Sequence, residues 1–256
     1  MTQSHHDRIL DQFTRQATPF GTAPGIKDEA ALRLVIDCSG AGPDDTVLDV
    51  ACGPGLIVVA FARVVKHATG IDLTPAMLER ARAYALEQGV TNVTWRQGDV
   101  LPLPYPDGAF TIVSSRFAFH HFLDALAVLV QMARVCAPGG TVIVVDSAPA
   151  PDKADAFNRM EVVRDPSHVR AMPEAEHLEL FRRAGLPAPR VTRYRLEGEL
   201  EALIARSFPR PGDDETLRRI FADSLAGDTL GIEARSDPDG RIRYGYPVAV
   251  MAARRP

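Results

Sequence analysis

The chain has 256 residues, of which 46% are hydrophobic and 24% charged, and its formal net charge at pH 7 is −4. This balance is typical of a globular domain and lacks the basic excess of a nucleic-acid-binding protein. We expect a cytoplasmic protein without a membrane span or bound metal, because the three cysteines form no C-x-x-C pair, the N-terminus is polar, and no apolar run approaches the ~20 residues that span a bilayer.

The first 45 residues predict two helices separated by a loop rich in proline and glycine. Ile9 and Phe13 fall on one face of the first helix, and Leu34 and Val35 on one face of the second. Such a segment forms either a lid over the core or a simple packed connection. We expect residues 1–45 to be an N-terminal helical lid.

Residues 46–146 predict an alternation of strands and helices. The expected strands cover residues 46–51, 67–73, 92–99, 109–115 and 141–146, and the helices between them cover 55–65, 75–89 and 124–140. Thr74 is the expected N-cap of the second of these helices, with Pro75 in its first position. Continuous apolar strands that alternate with helices are typical of a parallel sheet covered on both faces, and we assign this segment to a ligand-binding core.

After residue 146 the alternation ends. The expected elements are helices over 152–163 and 173–184, a strand over 188–196, helices to about 226 and a hairpin that turns at Asp239 and Gly240. We assign residues 147–256 to substrate-covering insertions and C-terminal strands of the same domain. The predicted fold is α/β and Rossmann-like: a doubly wound, mostly parallel seven-stranded sheet with helices on both faces, an antiparallel C-terminal hairpin, the N-terminal lid and helical insertions after strand 5.

The segment 47–55, VLDVACGPG, predicts a strand that ends in a tight turn before a helix. At such a turn the backbone approaches a ligand closely, and the helix N-terminus favours negative charge. A dinucleotide fingerprint needs glycine at three places that here hold Ala51, Gly53 and Leu56, which disfavours NAD and FAD. A Walker loop is disfavoured because no Lys-Ser/Thr pair follows. A phosphate and a nucleoside that bears a carboxylate both remain open.

Aspartates occur at the ends of the first three predicted strands, as Asp49, Asp72 and Asp99. Ligands of open parallel sheets bind beyond these ends, so the three side chains are expected to share one site. A carboxylate at Asp72 suits the hydroxyls of a ribose, and one at Asp99 suits an exocyclic amine such as that of adenine. The alternatives are a charge at the helix N-terminus for Asp72 and a plain turn residue for Asp99.

Five segments within residues 45–146 resemble a known family. They read VLDVACGPG, GIDLTPAMLERAR, GDVLPLPYPDGAF, SSRFAFHHF and MARVCAPGGTVIVVD. They resemble the class I S-adenosylmethionine-dependent methyltransferases, in the broad type 11 group related to the ubiquinone/menaquinone C-methyltransferases. The resemblance implies S-adenosylmethionine as cofactor and S-adenosylhomocysteine as product, but it says little about the methyl acceptor.

The resemblance also implies a role for each matching position. Asp49 and the glycine turn would shape the site of the methionine moiety, Asp72 would bind the ribose, and Asp99 would contact the adenine amine. Apolar residues after strands 2 and 3 would flank the adenosine, and the end of strand 4 would lie near the sulfonium. The implied cofactor-binding residues are Asp49, Ala51, Gly53, Gly55, Asp72, Leu73, Met77, Gly98, Asp99, Val100, Ser115 and Arg116.

Three histidines are candidates for a catalytic base. A hydroxyl, an N–H group or an acidic carbon must lose a proton on methylation, and histidine titrates near neutral pH. His120 and His121 follow strand 4; adjacent residues do not face the same way on a helix, so we expect one in the pocket and favour His120, which is nearer the strand. His168, in the loop RDPSHVRAMP, is the second choice. A purely structural role is the alternative for the pair.

Aromatic and loop residues are candidates for binding the acceptor. They are Phe13, Phe20, Phe119, Ser167 and Arg170. Core packing is the alternative for the two lid phenylalanines, Phe13 and Phe20, and a structural turn is the alternative for the loop residues. Arg116 is a candidate either for binding an anionic acceptor or for pairing with an acid.

We therefore expect a methyltransferase that acts on an O, N or C atom of a small aromatic or quinone-like metabolite by in-line displacement. The alternative is a protein that binds the cofactor but catalyses a different reaction, or that serves as a regulatory subunit. The arginine-rich and hairpin surfaces of the C-terminal part are candidates for a homodimer interface.

Overall fold

The described part of the chain comprises residues 4–23 and 25–256 without the side chains of Phe20 and Thr22, and it contains eight strands, nine α-helices and one 3₁₀ turn, Phe119–His121. The structure is a computed structural model. The strands are β1 Thr46–Val50, β2 His67–Asp72, β3 Val93–Gln97, β4 Phe110–Arg116, β5 Cys136–Ser147, β6 Arg190–Glu199, β7 Arg235–Ser236 and β8 Ile242–Arg254. The helices are α1 His5–Thr22, α2 Glu29–Ser39, α3 Leu56–Ala62, α4 Pro75–Glu87, α5 Ala125–Val135, α6 Ala154–Arg164, α7 Glu174–Arg183, α8 Leu200–Ser207 and α9 Asp213–Ser224.

The strands form a single sheet in the order β3-β2-β1-β4-β5-β8-β6, with β7 paired to β8. The first five strands in this order are parallel, and β8 is antiparallel to both β5 and β6. The order reverses between β1 and β4, which makes their carboxyl ends the expected ligand edge. The predicted α/β Rossmann-like fold is confirmed.

The sheet has eight strands, one more than the seven predicted, and the additional strand lies at the antiparallel edge. The two-residue β7 pairs with the start of β8, and the predicted turn at Asp239 and Gly240 lies between them. The strand predicted over 188–196 is the start of β6, which pairs with β8 along its whole length, from Arg190 to Glu199. Strands β7 and β8 are therefore the arms of the predicted hairpin, whose first arm is only two residues long.

The sheet is covered on both faces, as its continuous apolar strands predict. On one face, Val47 packs in a core with α2 and α3 and with the C-terminal helices α6, α8 and α9. On the other face, Leu48 and Val50 pack in a second core with α5 and α7. Residues of β1 therefore pack into both cores, one on each face of the sheet. None of the helices in the described part of the chain is long and apolar enough to cross a membrane.

The helix predicted over 124–140 ends five residues early, at Val135. Strand β5 begins at once with Cys136, which pairs with Phe110 beside an irregularity in register. Pro138 would break a helix, and the two glycines that follow are poor helix formers. Gly140 approaches the neighbouring strand so closely that an added Cβ would lie 2.5 Å from the carbonyl oxygen of Thr111.

Candidate active site

A cavity of about 330 Å³ lies at the carboxyl ends of β1, β2 and β4. Its walls come from the turn between β1 and α3, from the residues after β2, β3 and β4, and from the first half of α1. The sequence-predicted site residues that line it are Phe13, Asp49, Ala51, Gly53, Asp72, Leu73, Met77, Asp99, Val100, Arg116 and His121. The topology thus brings residues from five separate segments of the chain to one place.

The turn after β1 is held tightly by its own backbone amides. The N–H of Cys52 donates to the carbonyl of Ile71 (3.0 Å), that of Gly55 to Cys52 (3.1 Å), and that of Gly53 to the Asp72 carboxylate (2.8 Å). These amides are therefore already paired within the protein. What this part of the wall offers a ligand is carboxylate oxygens, which favour a cationic or hydroxyl-bearing group over a phosphate.

Gly55 shapes the turn without lining the cavity. Its φ is +80°, and an added Cβ would lie 2.5 Å from Cη2 of Trp95 and 2.9 Å from Cβ of Ala81. Glycine is needed here for both the positive φ and the close packing.

We expect Gly55→Ala to destabilise the protein by about 2–4 kcal/mol, the combined cost of a left-handed alanine and an overpacked contact. Gly40→Ala is the matched control, since Gly40 has a φ of +70° but open space around it. That control should cost only about 1 kcal/mol. Urea unfolding of both variants measures the difference, and equal losses would contradict the packing argument.

Asp49 is a buried carboxylate at the end of β1, with 2% of its surface exposed. Its Oδ1 accepts a hydrogen bond from the Ser114 hydroxyl (2.7 Å). Burial raises the pKa of Asp49 to about 7, against the opposing effects of Ser114 and the Arg116 charge. A buried carboxyl with a strongly raised pKa in a cavity is typical of a functional group that awaits a partner.

Asp72 is the second buried carboxylate of the wall. Its Oδ1 accepts from the N–H of Thr74 and its Oδ2 from the N–H of Gly53, both at 2.8 Å. Burial raises its pKa in spite of these hydrogen bonds. The contact with Thr74, the N-cap residue of α4, fits the alternative of a helix-terminal charge, but Asp72 also lines the cavity.

Asp99 and Val100 lie on the wall that follows β3. Asp99 is exposed, and its Oδ1 accepts a hydrogen bond from the N–H of Leu101 (3.2 Å), so it does act as a turn residue. It nevertheless borders the cavity together with Leu73 and the buried Met77. One carboxylate among apolar side chains suits a flat apolar group that carries a hydrogen-bond donor.

His121, and not His120, lies on the cavity wall. The ring of Phe13 packs edge-on against the ring of His121, with 4.9 Å between their centroids. The ring of His5 donates from Nε2 to the carbonyl oxygen of His121 (2.8 Å), so α1 is tied directly to this segment. Burial and the neighbouring His120 lower the pKa of His121 to about 3, so the imidazole is neutral at physiological pH.

His120 and His168 lie behind His121, with ring centroids 4.2 and 6.3 Å from its own. Nδ1 of His120 is 2.5 Å from Oδ1 of Asp146, and its backbone N–H donates to Oδ2 of the same residue (3.1 Å). Burial lowers the pKa of His120, but the charge and hydrogen bond of Asp146 outweigh it and raise the pKa. Burial lowers the pKa of His168 to about 4, and its Nε2 is 2.8 Å from Oδ1 of Asn158.

The other predicted residues lie away from the wall and have structural partners. The Ser115 hydroxyl donates to the carbonyl of Val50 in the neighbouring strand β1 (2.9 Å). The N–H of Gly98 donates to the carbonyl of Asp72 (3.0 Å) as part of the sheet edge. Phe119 is buried in the second core.

Two residues of the loop 164–173 also occupy positions away from the wall. Ser167 is fully buried behind His121, while Arg170 is at the surface and pairs with both oxygens of Glu176 (2.7 and 2.8 Å). The side chain of Phe20 lies outside the described residues.

Arg116 lines the cavity beside an aromatic ring. Its guanidinium lies over the ring of Phe117, 4.4 Å from the centroid, and Nη1 donates to the carbonyl of Ile26 (3.2 Å). Nε and Nη2 are buried, and the buried hydroxyl of Tyr194 interacts with the guanidinium. The contact with Ile26 joins the end of β4 to the connection between α1 and α2.

Sequence reasoning missed a large part of the wall contributed by α1 and by the segment after β4. His5, His6 and Ile9 line the cavity together with Phe13, and Phe117 and Phe122 line it from the other side. The four-residue spacing from His5 through Ile9 to Phe13 was a usable signal, since such residues share a helix face. Within the described ranges, no three His, Cys, Asp or Glu side chains are grouped to hold a metal ion.

The chain is similar, over most of its length, to proteins that are named as methyltransferases. The Methyltransferase domain family matches residues 47–140. The uncharacterized methyltransferase YcgJ of Bacillus subtilis (strain 168) is 32% identical over 205 residues, which cover 79% of this chain and 81% of YcgJ. The crystal structure of YcgJ has a TM-score of 0.78 at 28% identity and covers 88% of this chain and 98% of its own.

Two further proteins extend the comparison. The structure of BH2331 from Bacillus halodurans C-125 has a TM-score of 0.80 at 26% identity, covering 89% of this chain and 99% of its own. The ubiquinone/menaquinone biosynthesis C-methyltransferase UbiE of Vibrio vulnificus is 35% identical over 118 residues, which are 44% of this chain and 45% of UbiE. With the fold and the carboxylate-lined cavity, these similarities establish that the chain belongs to the class I S-adenosylmethionine-dependent methyltransferases of the type 11 group.

Proposed function

We propose that the cavity binds S-adenosylmethionine and that the enzyme transfers its methyl group to an O, N or C atom of a small aromatic or quinone-like acceptor. The observation that carries the proposal is the pair of buried carboxylates, Asp49 and Asp72, at the ends of adjacent strands beside the glycine turn. Their described hydrogen-bond partners are a hydroxyl and backbone N–H groups, so both keep acceptor capacity for a ligand.

The cavity residues fit the parts of this cofactor. Asp49 would accept from the ammonium group of the methionine moiety, and Asp72 would accept from the ribose hydroxyls. Asp99 would accept from the adenine amine, with Val100 and Met77 against the ring. Three of the predicted cofactor-binding residues lie outside the wall and would influence the cofactor only by shaping the backbone around the cavity. They are Gly55, Gly98 and Ser115.

The acceptor would occupy the side of the cavity formed by α1 and by the segment after β4. Ile9, Phe13 and Phe117 supply apolar and aromatic surface there, and His121 supplies a neutral imidazole. This chemistry supports a small aromatic or quinone-like acceptor. We further propose that residues 1–45 act as a lid over the cavity. Two contacts support this proposal: the His5 ring donates to the carbonyl of His121, and Arg116 donates to the carbonyl of Ile26.

Bound S-adenosylmethionine would supply a methyl group already activated on a sulfonium. The protein then has to orient the acceptor in line with that methyl, exclude water and take up a proton. Orientation of this kind is worth roughly 7–11 kcal/mol. His121 would accept the proton of the acceptor, and Phe13 with the rest of α1 would keep water out.

Cofactor binding is tested by thermal unfolding with added ligand. We expect S-adenosylmethionine and S-adenosylhomocysteine to stabilise the protein, by about 2.7 kcal/mol at a ligand concentration 100 times Kd. NAD at the same concentration should leave the transition unchanged. Stabilisation by NAD alone, or by none of the three, would overturn the proposal.

Methyl transfer is tested with methyl-labelled cofactor and a panel of phenols, hydroxyquinones and N-heteroaromatics. A transferase forms labelled product and S-adenosylhomocysteine in equal amounts. Cofactor binding without labelled product across acceptors of all three kinds would instead favour another reaction or a regulatory role.

A further inference from the structure

We propose that Asp165 and Ser167 are positioning residues that hold His121 in a single tautomer, with the proton on Nδ1 and with Nε2 as the proton acceptor. The inference rests on the proposed function for its catalytic meaning, but the tautomer itself is a property of the free protein. It is carried by a chain of hydrogen bonds that runs from Asp165 through Ser167 to the ring of His121.

The first link joins Asp165 to Ser167. Oδ1 of Asp165 accepts both the hydroxyl of Ser167 (2.5 Å) and its backbone N–H (2.8 Å). Asp165 is 1% exposed; burial opposes its ionisation, but His121, Arg164 and the Ser167 hydrogen bonds lower its pKa to about 2. An ionised carboxylate only accepts hydrogen bonds, so the single hydroxyl proton of Ser167 is committed to Asp165.

The second link joins Ser167 to His121. Nδ1 of His121 is 3.1 Å from the carbonyl oxygen of Ser167 and 3.3 Å from its hydroxyl oxygen. The carbonyl can only accept, and the hydroxyl has already given its proton to Asp165. Both oxygens therefore present lone pairs to Nδ1, and Nδ1 has to carry the hydrogen. Nε2 is left as the ring nitrogen that can take a proton.

This assignment gives a balanced proton step. As the acceptor forms its bond to the methyl carbon, the bond between that carbon and sulfur breaks and its electron pair stays on sulfur. The proton of the acceptor O–H, N–H or acidic C–H group moves to Nε2 of His121, while the hydrogen on Nδ1 stays in place. The resulting imidazolium is stabilised by the charge of Asp165 and opposed by His120 and His168.

A neighbouring histidine provides an internal reference with the opposite tautomer. The amide nitrogen of Asn158 donates to the carbonyls of Ala154 and Ala171, so its Oδ1 faces the other way. That oxygen accepts from the N–H of Ala171 (2.7 Å) and lies 2.8 Å from Nε2 of His168. His168 must therefore carry its hydrogen on Nε2, in contrast to His121.

The test is nitrogen NMR of the full chain labelled with ¹⁵N-histidine at neutral pH, with the two rings assigned from His121→Gln and His168→Gln. Long-range proton–nitrogen correlations distinguish the two neutral tautomers and the imidazolium. We expect His121 with its hydrogen on Nδ1 and His168 with its hydrogen on Nε2. An Nε2–H tautomer or an imidazolium at His121 would overturn the proposal.

Three variants separate the links. Asp165→Ala frees the Ser167 hydroxyl to donate to Nδ1, so a second His121 tautomer should appear. Asp165→Asn keeps an oxygen acceptor and should keep the single tautomer, and the double variant Asp165→Ala with Ser167→Ala should restore it because no hydroxyl remains. An unchanged tautomer in Asp165→Ala would remove Asp165 from the mechanism. If that variant fails to fold, the wild-type spectrum still tests the proposal, because an Nε2–H tautomer at His121 contradicts it and an Nδ1–H tautomer supports it.

The same experiment distinguishes failure of this inference from failure of the proposed function. The NMR measurement needs no acceptor, and calorimetry with S-adenosylhomocysteine shows whether each variant keeps its cofactor site. Once an acceptor is found, Asp165→Asn should lower kcat at unchanged cofactor affinity, since it removes the charge but keeps the tautomer. If His121 has the predicted tautomer but the protein methylates no acceptor, the proposed function is contradicted and the tautomer inference stands.

Discussion

Asp49→Asn is expected to weaken S-adenosylhomocysteine binding about 100-fold and, at the same time, to stabilise the free protein. A charge-assisted hydrogen bond contributes about 1.5–3 kcal/mol, and the amide cannot replace the carboxylate opposite an ammonium group. In the free protein the carboxylate is buried beside Asp72, and burial raises its pKa from 3.8 to about 7. A raised pKa of that size corresponds to a penalty on the order of 4 kcal/mol on the folded state at pH 8.

The pH dependence of this effect has a definite sign. Because the folded pKa of Asp49 is raised, the folded state keeps a proton that the unfolded state has lost between about pH 4 and pH 7. The penalty therefore grows over that range and is complete above pH 7. The stabilisation by Asp49→Asn should be largest at pH 8 and should shrink towards pH 5.

Calorimetry with S-adenosylhomocysteine and urea unfolding at pH 5 and pH 8 measure the two effects. Asp44→Asn is the control, since Asp44 is an exposed aspartate just before β1 and should change neither quantity. A variant at Asp49 that binds the ligand as tightly as the wild type would show that this carboxylate does not hold the cofactor. Loss of stability at pH 8 would contradict the electrostatic argument.

His121→Gln is expected to lower kcat by about 10²-fold, the lower end of the usual contribution of a general base, because the low pKa of His121 makes its neutral imidazole a weak proton acceptor. The cofactor affinity should change little, because the carboxylates proposed to hold the cofactor come from β1 and β2, whereas His121 follows β4. Glutamine keeps a hydrogen-bond donor towards Ser167 but cannot take up a proton. The cavity wall should therefore survive while the chemistry slows.

The measurement is the rate of S-adenosylhomocysteine formation with an acceptor found in the labelled-methyl screen. His67→Gln is the matched control. His67 lies at the start of β2, at the opposite end of the strand from the cavity, and its ring forms a hydrogen bond with the Thr94 hydroxyl. A His121 variant as fast as the wild type would place the base elsewhere. An equal drop in cofactor affinity would indicate a structural role.

The aspartate positions could be predicted because they follow from local pattern and topology. Parallel strands alternating with helices bring their carboxyl ends to one edge, so Asp49, Asp72 and Asp99 had to lie close together. The turn between β1 and α3 could also be predicted, because its glycines adopt positive φ values that few other residues adopt. The sequence alone thus determined the α/β fold, the edge of the sheet that carries the site and the family.

The acceptor side of the cavity was decided by tertiary structure. His120 and His121 belong to a short 3₁₀ turn that follows Phe117, whose φ is +56°, and the phase of that turn decides which ring reaches the wall. Helical spacing placed Phe13 on one face of α1, but only packing showed that this face, with His5 and Ile9, closes the cavity. Strand order and periodicity are local properties that a sequence pattern records, whereas the orientation of a side chain in an irregular turn depends on every element packed against it.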